Sequence, residues 1–404
     1  MTKIRVILIL ITILVVGCIG IIASFYARGY RFNRKTFKFV PRGILVVKSE
    51  PDGAQVFINK DLKTVTNDSI SLAPGTYDVE LKKEGFLPWY KRLVIEKEVV
   101  FEINASLFKG TPSLSPITLS GVTRPIISSD FSKIAYAIPP SEEANTNTIG
   151  LWLMESLNLP IGFTRDPRRI TDGDISDAAW EFSPDGREIL LTTKSGIFLL
   201  DTNTFTPQNK KVNVASRKQQ ILSNWETERK NRLTVQLRNL PDELVEILTR
   251  KASEIAFSPD ETKILYTASG SATLKENLIK ALPGSSTQKQ ERNIKEGQTY
   301  VYDIKEDRNF LIETDSSSLM LDGLSSTPTK NRRLVWFPTS RNLVLAEEGK
   351  ITIMDYDGTN RQIVFSGSYF APYTFPFTNT SRLLLLTNLG ANSSLPNIYS
   401  LSLK

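Results

Sequence analysis

Between residues 127 and 386 one short pattern recurs five times: an apolar stretch, a tight polar turn and a second apolar stretch. The fullest copy spans 179–192 and turns at Ser183-Pro184-Asp185-Gly186. The next spans 255–267 and turns at Ser258-Pro259-Asp260. Degenerate copies lie at 127–136, 335–345 and 377–386. A third strand-like run follows most of them, as in 196–201, 299–303, 351–355 and 397–401. A three- or four-stranded unit cannot bury both of its faces alone, so a chain that repeats one must stack the copies. Three to four strands per repeat is the content of a β-propeller blade, whose period is about 40–45 residues.

Measured between Asp130, Asp185, Asp260, Thr339 and Thr380, the spacings are 55, 75, 79 and 41 residues. Only the last suits an unadorned blade, so the others imply insertions. Candidates are the polar stretch 139–149, the stretch 208–251 and the Ser-, Lys- and Glu-rich stretch 269–297. Within 208–251, Leu240 to Leu248 reads as a helix. Pro241 and Asp242 suit its first turn, and Leu244, Ile247 and Leu248 form an apolar stripe. These repeats resemble the WD40-like repeats of the TolB type, in which S-P-D-G forms the turn within a blade. The resemblance implies a propeller over 110–404, with five countable blades.

Upstream, residues 43–108 read as short alternating strands. Residues 43–48 and 54–59 are joined compactly by Glu50-Pro51-Asp52-Gly53, where Pro sets φ and Gly supplies a positive one. Leu72 to Leu81 repeats the arrangement around Pro74-Gly75, with Val79 and Leu81 on one side and Asp78 and Glu80 on the other. Strands over 90–95 and 99–105 follow, after Gly85 to Trp89. In family order, Pro51-Asp52-Gly53-Ala54, the L-x-P-G-x-Y-x-V of Leu72 to Val79 and the G-F-x-P-W of Gly85 to Trp89 resemble the PEGA domain. That resemblance implies a small β-sandwich on the extracytoplasmic side of a prokaryotic membrane, with no enzymatic activity. Gly53 and Gly75 then read as turn residues, and Phe86 and Trp89 as core.

Net charge is +7, but its location changes its meaning. Residues 1–42 carry eight basic residues and no acidic ones, which leaves 42 Lys and Arg against 43 Asp and Glu for the remainder. The body is therefore neutral, and nucleic acid is not an expected partner. Between the flanking charges, Val6 to Ala27 is an uncharged run of 22 residues. As a helix it extends about 33 Å, enough for a hydrocarbon core of about 30 Å. Phe25, Tyr26 and Tyr30 stand where an interfacial aromatic belt belongs. Residues 6–27 are read as a single-pass anchor in the lipid bilayer (1–27), followed by a basic linker (28–42). Val15-Val16-Gly17-Cys18 also resembles a lipobox, so lipidation at Cys18 is the alternative. Two basic side chains precede the helix and six follow it. A literal positive-inside count puts the body in the cytoplasm, as for a cytoplasmic sensor. The PEGA resemblance implies the reverse, an extracytoplasmic body.

The absence of histidine excludes Ser-His-Asp and Cys-His catalysis and the common histidine zinc sites. Cys18 is the single cysteine, which excludes an internal disulfide. No G-x-x-x-x-G-K-[ST] or G-x-G-x-x-G motif occurs. Asp172 to Asp177 is similar to a calcium loop but has Ser183 where Glu is needed, and reads as an inter-blade turn. Ser286-x-x-Lys289 lies in a Ser-rich loop without a K-T-G partner. The turn aspartates Asp185 and Asp260 read as ordinary turn residues. Residues 208–251 carry ten basic against five acidic residues, which suits a solvated helical face, with an anionic wall polymer or the membrane surface as the alternative. The chain is thus expected to be mainly β: a transmembrane helix, a PEGA-like sandwich and a propeller with partly helical insertions. No catalytic residue, metal or cofactor is expected. The function expected is envelope binding or scaffolding, with a protein or envelope polymer as partner. An envelope hydrolase or lyase using channel carboxylates is the alternative, and it requires converging Asp or Glu side chains.

Overall fold

The computed structural model describes residues 2–27, 30–33, 37–140, 147–156, 166–280, 287–321, 326, 328–378, 380–391 and 395–404. They divide into two compact units. One comprises 1–107 with 281–288, and the other 108–280 with 289–404.

The first unit begins with helix α1 (Thr2–Ala27), whose apolar side chains from Ile7 onward are exposed along its length. Residues Ile7–Ala27 are long and apolar enough to cross a membrane. At its end Phe25 stacks on Phe39 of a short hairpin, with ring centroids 5.4 Å apart, and the Tyr30 hydroxyl donates to Glu98 Oε1 at 2.6 Å. Two sheets follow. One orders Asp68–Leu72, Gly43–Glu50 and Val100–Ser106, the last two parallel. The other is antiparallel and orders Asp61–Val65, Gln55–Ile58, Gly75–Lys82 and Trp89–Ile95. Alternation decides the packing: Leu45, Val47, Val56, Ile58, Val79 and Leu81 point into one shared core, while Lys48, Glu50 and Asp78 are exposed. Both motif turns carry the chain from one sheet to the other, so neither closes a hairpin.

Among the described residues the second unit holds five sheets arranged as propeller blades and a two-stranded sheet of Ala272–Thr273 and Asn293–Ile294. Blade I comprises Thr123–Ile127, Lys133–Ile138, Gly150–Glu155 and Arg168–Asp172. Blade II comprises Ala179–Phe182, Glu188–Thr193 and Gly196–Asp201. Blade III comprises Ala252–Phe257, Lys263–Ala268, Thr299–Asp303 and Arg308–Glu313. Blade IV comprises Leu319–Leu321, Arg332–Trp336, Asn342–Glu347, Lys350–Asp355 and Gln362–Ser366, its first strand parallel to its second. Blade V comprises Thr374–Pro376, Arg382–Thr387 and Asn397–Ser402, completed by Leu114–Pro116 from the start of the unit. The ring is therefore closed by strands from both ends of the unit. Stacked blades cover both faces of their middle strands, so these strands read as unbroken apolar runs; every residue of Lys263–Ala268 is buried.

Apolar clusters join blade I to II through Ile126, Leu153 and Trp180, and I to V through Tyr136, Ile138 and Phe375. Others join III to IV through Leu265, Val301 and Leu334, and IV to V through Phe337, Ile353 and Leu385. Between II and III the packing runs through two helices, α2 (Lys218–Leu237) and α3 (Asp242–Lys251). Ile221, Leu222 and Trp225 at the start of α2 pack on Leu190 and Leu199 of blade II. Leu233 and Leu237 at its end, with Leu244, Ile247 and Leu248 of α3, pack on Ile264, Tyr266 and Tyr300 of blade III. Asp242 and Glu243 in the first turn of α3, and Arg250 and Lys251 in its last, complement the helix dipole.

Candidate functional site

The turns of blades I, II and III share one hydrogen-bond unit. Ser128, Ser183 and Ser258 each donate from Oγ to Oδ1 of the aspartate two residues on, Asp130, Asp185 and Asp260, at 2.6, 2.6 and 2.7 Å. Each aspartate also accepts the backbone N–H of Ser132, Arg187 or Thr262 at 3.1 Å. Each serine oxygen in turn accepts the N–H that opens the next strand, from Lys133, Glu188 or Lys263. Burial pushes the three carboxyl groups up, but these hydrogen bonds outweigh it and hold all three below the ordinary carboxylate value. The fourth turn residue is left-handed in four blades: Phe131 (φ 57°), Gly186 (66°), Glu261 (56°) and Ser340 (59°). Only Gly186 adopts this conformation without a Cβ penalty.

These turns are bonded to one another. Ser129 Oγ donates to the Pro184 carbonyl at 2.8 Å, joining blade I to blade II. Arg232 Nη1 of α2 donates to the same carbonyl at 2.8 Å, and its Nη2 to Glu228 at 2.6 Å. One turn further along α2, Gln236 Nε2 donates to Glu261 Oε1 at 2.9 Å. The Asp260 N–H then donates to Ser340 Oγ of blade IV at 3.0 Å. The mouth of the propeller is thus stitched from I to II, through α2, to III and IV.

Inside this rim lies a cavity of about 510 Å³. Its lining is mixed: Phe131, Ile255, Ala256, Phe257, Val335 and Trp336 form an apolar part beside polar Ser129, Arg232, Gln236 and Ser258. The Trp336 indole N–H is spent on the Ala256 carbonyl at 2.9 Å. Two acidic residues line the cavity, Asp130 and Glu261, and both already accept hydrogen bonds from their own turn or from α2. With its carboxyl held low, Asp130 is ionised at neutral pH and cannot donate a proton. The arrangement offers an apolar patch beside polar groups that are already hydrogen-bonded within the protein. It offers no free carboxylate pair.

Several residues singled out from the sequence lie elsewhere. In the sandwich, Ala54 is fully buried, Gly53 has φ +74°, and Trp89 is 4% exposed. Asp52 and Pro74 are exposed, and Phe86 is half-buried against the core. The Tyr77 hydroxyl donates to Ala73 O at 2.9 Å and so closes the Pro74-Gly75 turn. Asp172 and Asp174 accept backbone N–H groups from Gln208 and Ser176, and Asp177 pairs with Lys194. Among the described residues no three His, Cys, Asp or Glu side chains group as a metal site. Ser286 lies outside the described residues. Of the basic residues at 208–251, Arg229 and Lys230 pair with Glu226, Arg232 with Glu228 and Arg250 with Glu246. Neither Arg232 and Gln236 nor the buried pair Ser49 and Thr66 stood out in the sequence. The two hydroxyls of that pair lie 2.7 Å apart, and Thr66 Oγ1 accepts the Ala54 N–H at 2.9 Å, pinning the first sandwich turn. The one available signal for α2 was a four-residue apolar spacing, Ile221–Trp225 and Leu233–Leu237, interrupted by Arg229.

The PEGA domain family model matches residues 42–111. No curated protein matches the chain. Among solved structures, TolB from Acinetobacter baumannii is similar at 15% identity, over 81% of this chain and 59% of that one, with a TM-score of 0.19. A protein from Agrobacterium tumefaciens assigned as TolB is 13% identical over 70% of this chain and 78% of that one, with a TM-score of 0.22. The Dos1 propeller is 11% identical over 72% and 95%, with a TM-score of 0.28. The chain therefore combines an apolar N-terminal helix of membrane-crossing length, a PEGA domain and a β-propeller whose identity rests on its strand order.

Proposed function

We propose that this is a non-enzymatic, membrane-anchored protein of the cell envelope, which binds or scaffolds a partner through the mouth of its propeller. In this reading residues 6–27 hold the chain in the membrane as a single span, and the body is extracytoplasmic. The carrying observation is the cavity: an apolar patch among polar groups already committed, with Ser129, Arg232 and Gln236 bonded to neighbouring elements and Asp130 to its own turn. Such a surface can accept an apolar group of a partner, but it has no acid–base pair with which to act on one. The hydrolase alternative needs two converging carboxylates free of such bonds. Asp130 and Glu261 do not meet that requirement.

A photo-cross-linking side chain in place of Val335, inside the cavity, tests the reading in intact cells. A discrete adduct formed at 335 but not at exposed Thr204 supports it. Hydrolysis of envelope polymers by the purified full chain, lost in Asp130→Asn or Glu261→Gln, would sink it. Orientation is read separately: protease added to intact cells should digest the body while a cytoplasmic control survives.

A further inference from the structure

One end of blade V combines exposed apolar side chains with an absence of charge. Residues 117–121, 367–373 and 387–396 contain no Lys, Arg, Asp or Glu, in a chain that is 23% charged. The fold sets 117–121, 367–373 and the described residues 387–391 and 395–396 side by side. The Gly121 N–H donates to Asn397 Oδ1 at 3.1 Å and the Val122 N–H to Pro396 O at 2.7 Å. Asn397 lies opposite Thr387 in the blade. The Thr387 hydroxyl donates to Ser368 O at 2.7 Å, and the Phe370 N–H to Leu386 O at 2.8 Å. Their described tips leave Leu119 81%, Leu389 60%, Phe370 42% and Leu395 38% exposed. Leu383 to Leu386 of the same blade are buried, so the exposed side chains are a feature of the tips and not of the strands.

We propose that this neutral, apolar end of blade V docks on a lipid bilayer surface, as a second membrane contact of a chain whose α1 can itself cross one. Four exposed side chains on three neighbouring tips could cover roughly a few hundred Å². That falls well short of the roughly 800 Å² each partner contributes to a standard protein interface. A tether removes the need for a large area, because it holds the surface near its target at a high effective concentration. The absence of charge spares the loops the cost of taking ions into the interface. Their Ser, Thr, Asn and Gly groups can stay hydrated at headgroup depth while Leu119, Leu389, Leu395 and Phe370 enter the acyl boundary. Docking of this kind needs no anionic lipid and responds little to salt.

The test uses the full chain with Cys18→Ala in phosphatidylcholine nanodiscs, carrying one new cysteine: Leu119→Cys, Leu389→Cys or, as a control on blade II, Thr204→Cys. Each is labelled with a polarity-sensitive fluorophore and exposed to nitroxide-bearing lipid. Emission at 119 and 389 should shift blue and be quenched several-fold more strongly than at 204, with or without added salt. Equal quenching at the three positions overturns the proposal. So does a blue shift without lipid quenching, since a protein or a second copy then covers the patch. In a Leu395→Cys chain, adding Leu119→Asp and Leu389→Asp together should abolish the quenching while leaving the thermal transition in place. Persistent quenching in that folded variant also overturns it.

Discussion

The Arg232 guanidinium and the Pro184 carbonyl meet at 2.8 Å, and the same oxygen accepts the Ser129 hydroxyl from the adjoining blade. One acceptor thereby holds blade I, blade II and α2 together at the place where the ring passes through helices and not through sheet packing. A hydrogen bond from a charged donor contributes about 1.5–3 kcal/mol when buried, and less here because the Arg232 side chain is half exposed. Arg232→Ala is expected to destabilise the propeller by about 1 kcal/mol, with a smaller loss for Arg232→Lys. Thermal melting checks this, and an unchanged transition for Arg232→Ala would show that the contact contributes nothing.

The serines of the turns act twice, donating to an aspartate and accepting from the next strand. Ser258 is 2% exposed, so Ser258→Ala leaves the Lys263 N–H without its buried acceptor and takes one hydrogen bond from Asp260, whose exposed carboxylate keeps those from Thr262. A cost of about 1–3 kcal/mol follows. Gly186→Ala should cost about 1 kcal/mol for a different reason: its new Cβ meets Ser128 only at ordinary contact distance, so the left-handed backbone carries the penalty. Urea unfolding of the two variants should give midpoints below the parent with unchanged slopes.

The strands were legible because stacking buries both of their faces, and runs such as Lys263–Ala268 or Arg382–Thr387 then lose their polar alternation. The turns were legible through Ser183-Pro184-Asp185-Gly186, whose chemistry the local backbone demands. The helical wedge was less so. Helix α3 has a clear stripe in Leu244, Ile247 and Leu248, whereas α2 packs its two ends on different blades and shows no continuous face. Its sutures come from Arg232 and Gln236, long polar side chains whose partners lie 48 and 25 residues away. No spacing rule links such pairs. The left-handed turn position was legible only at Gly186, since Phe131, Glu261 and Ser340 occupy it against their own preference.

Acid should weaken the propeller in a defined window. Asp130, Asp185 and Asp260 have carboxyl groups held below their ordinary value of 3.8. A depressed folded value means that the unfolded chain takes up protons first, so this stability is present above about pH 4 and lost as pH falls through the folded values. Glu188 works in the opposite sense, because burial and then Asp185 and Asp201 raise its carboxyl above 4.5. Its unfavourable contribution is relieved as pH falls through that raised value. Melting temperature should therefore drop steeply only below about pH 4, and Asp260→Asn should flatten the drop. A variant with the parent's acid profile would show that the turn carboxylates are not its source.

Closure of the ring rests on strands from the two ends of the propeller unit. Leu114–Pro116 pairs with Asn397–Ser402, the Lys109 N–H donates to Leu403 O at 2.9 Å, and Lys109 Nζ reaches the Lys404 carbonyl at 2.6 Å. Phe108 adds an edge-to-face contact with Phe337 at 6.0 Å within the cluster of blades IV and V. Removing residues 397–404 takes away the strand that both Leu114–Pro116 and Arg382–Thr387 need. It also exposes Leu383 and Leu385, leaving an open edge at the last blade. Loss of the cooperative propeller transition is expected, with limited proteolysis cutting throughout 108–396. The sandwich, whose core is built from residues 45–107, should survive as a protected fragment. Retention of a cooperative propeller melt after this truncation would mean that the ring does not depend on its closing strand.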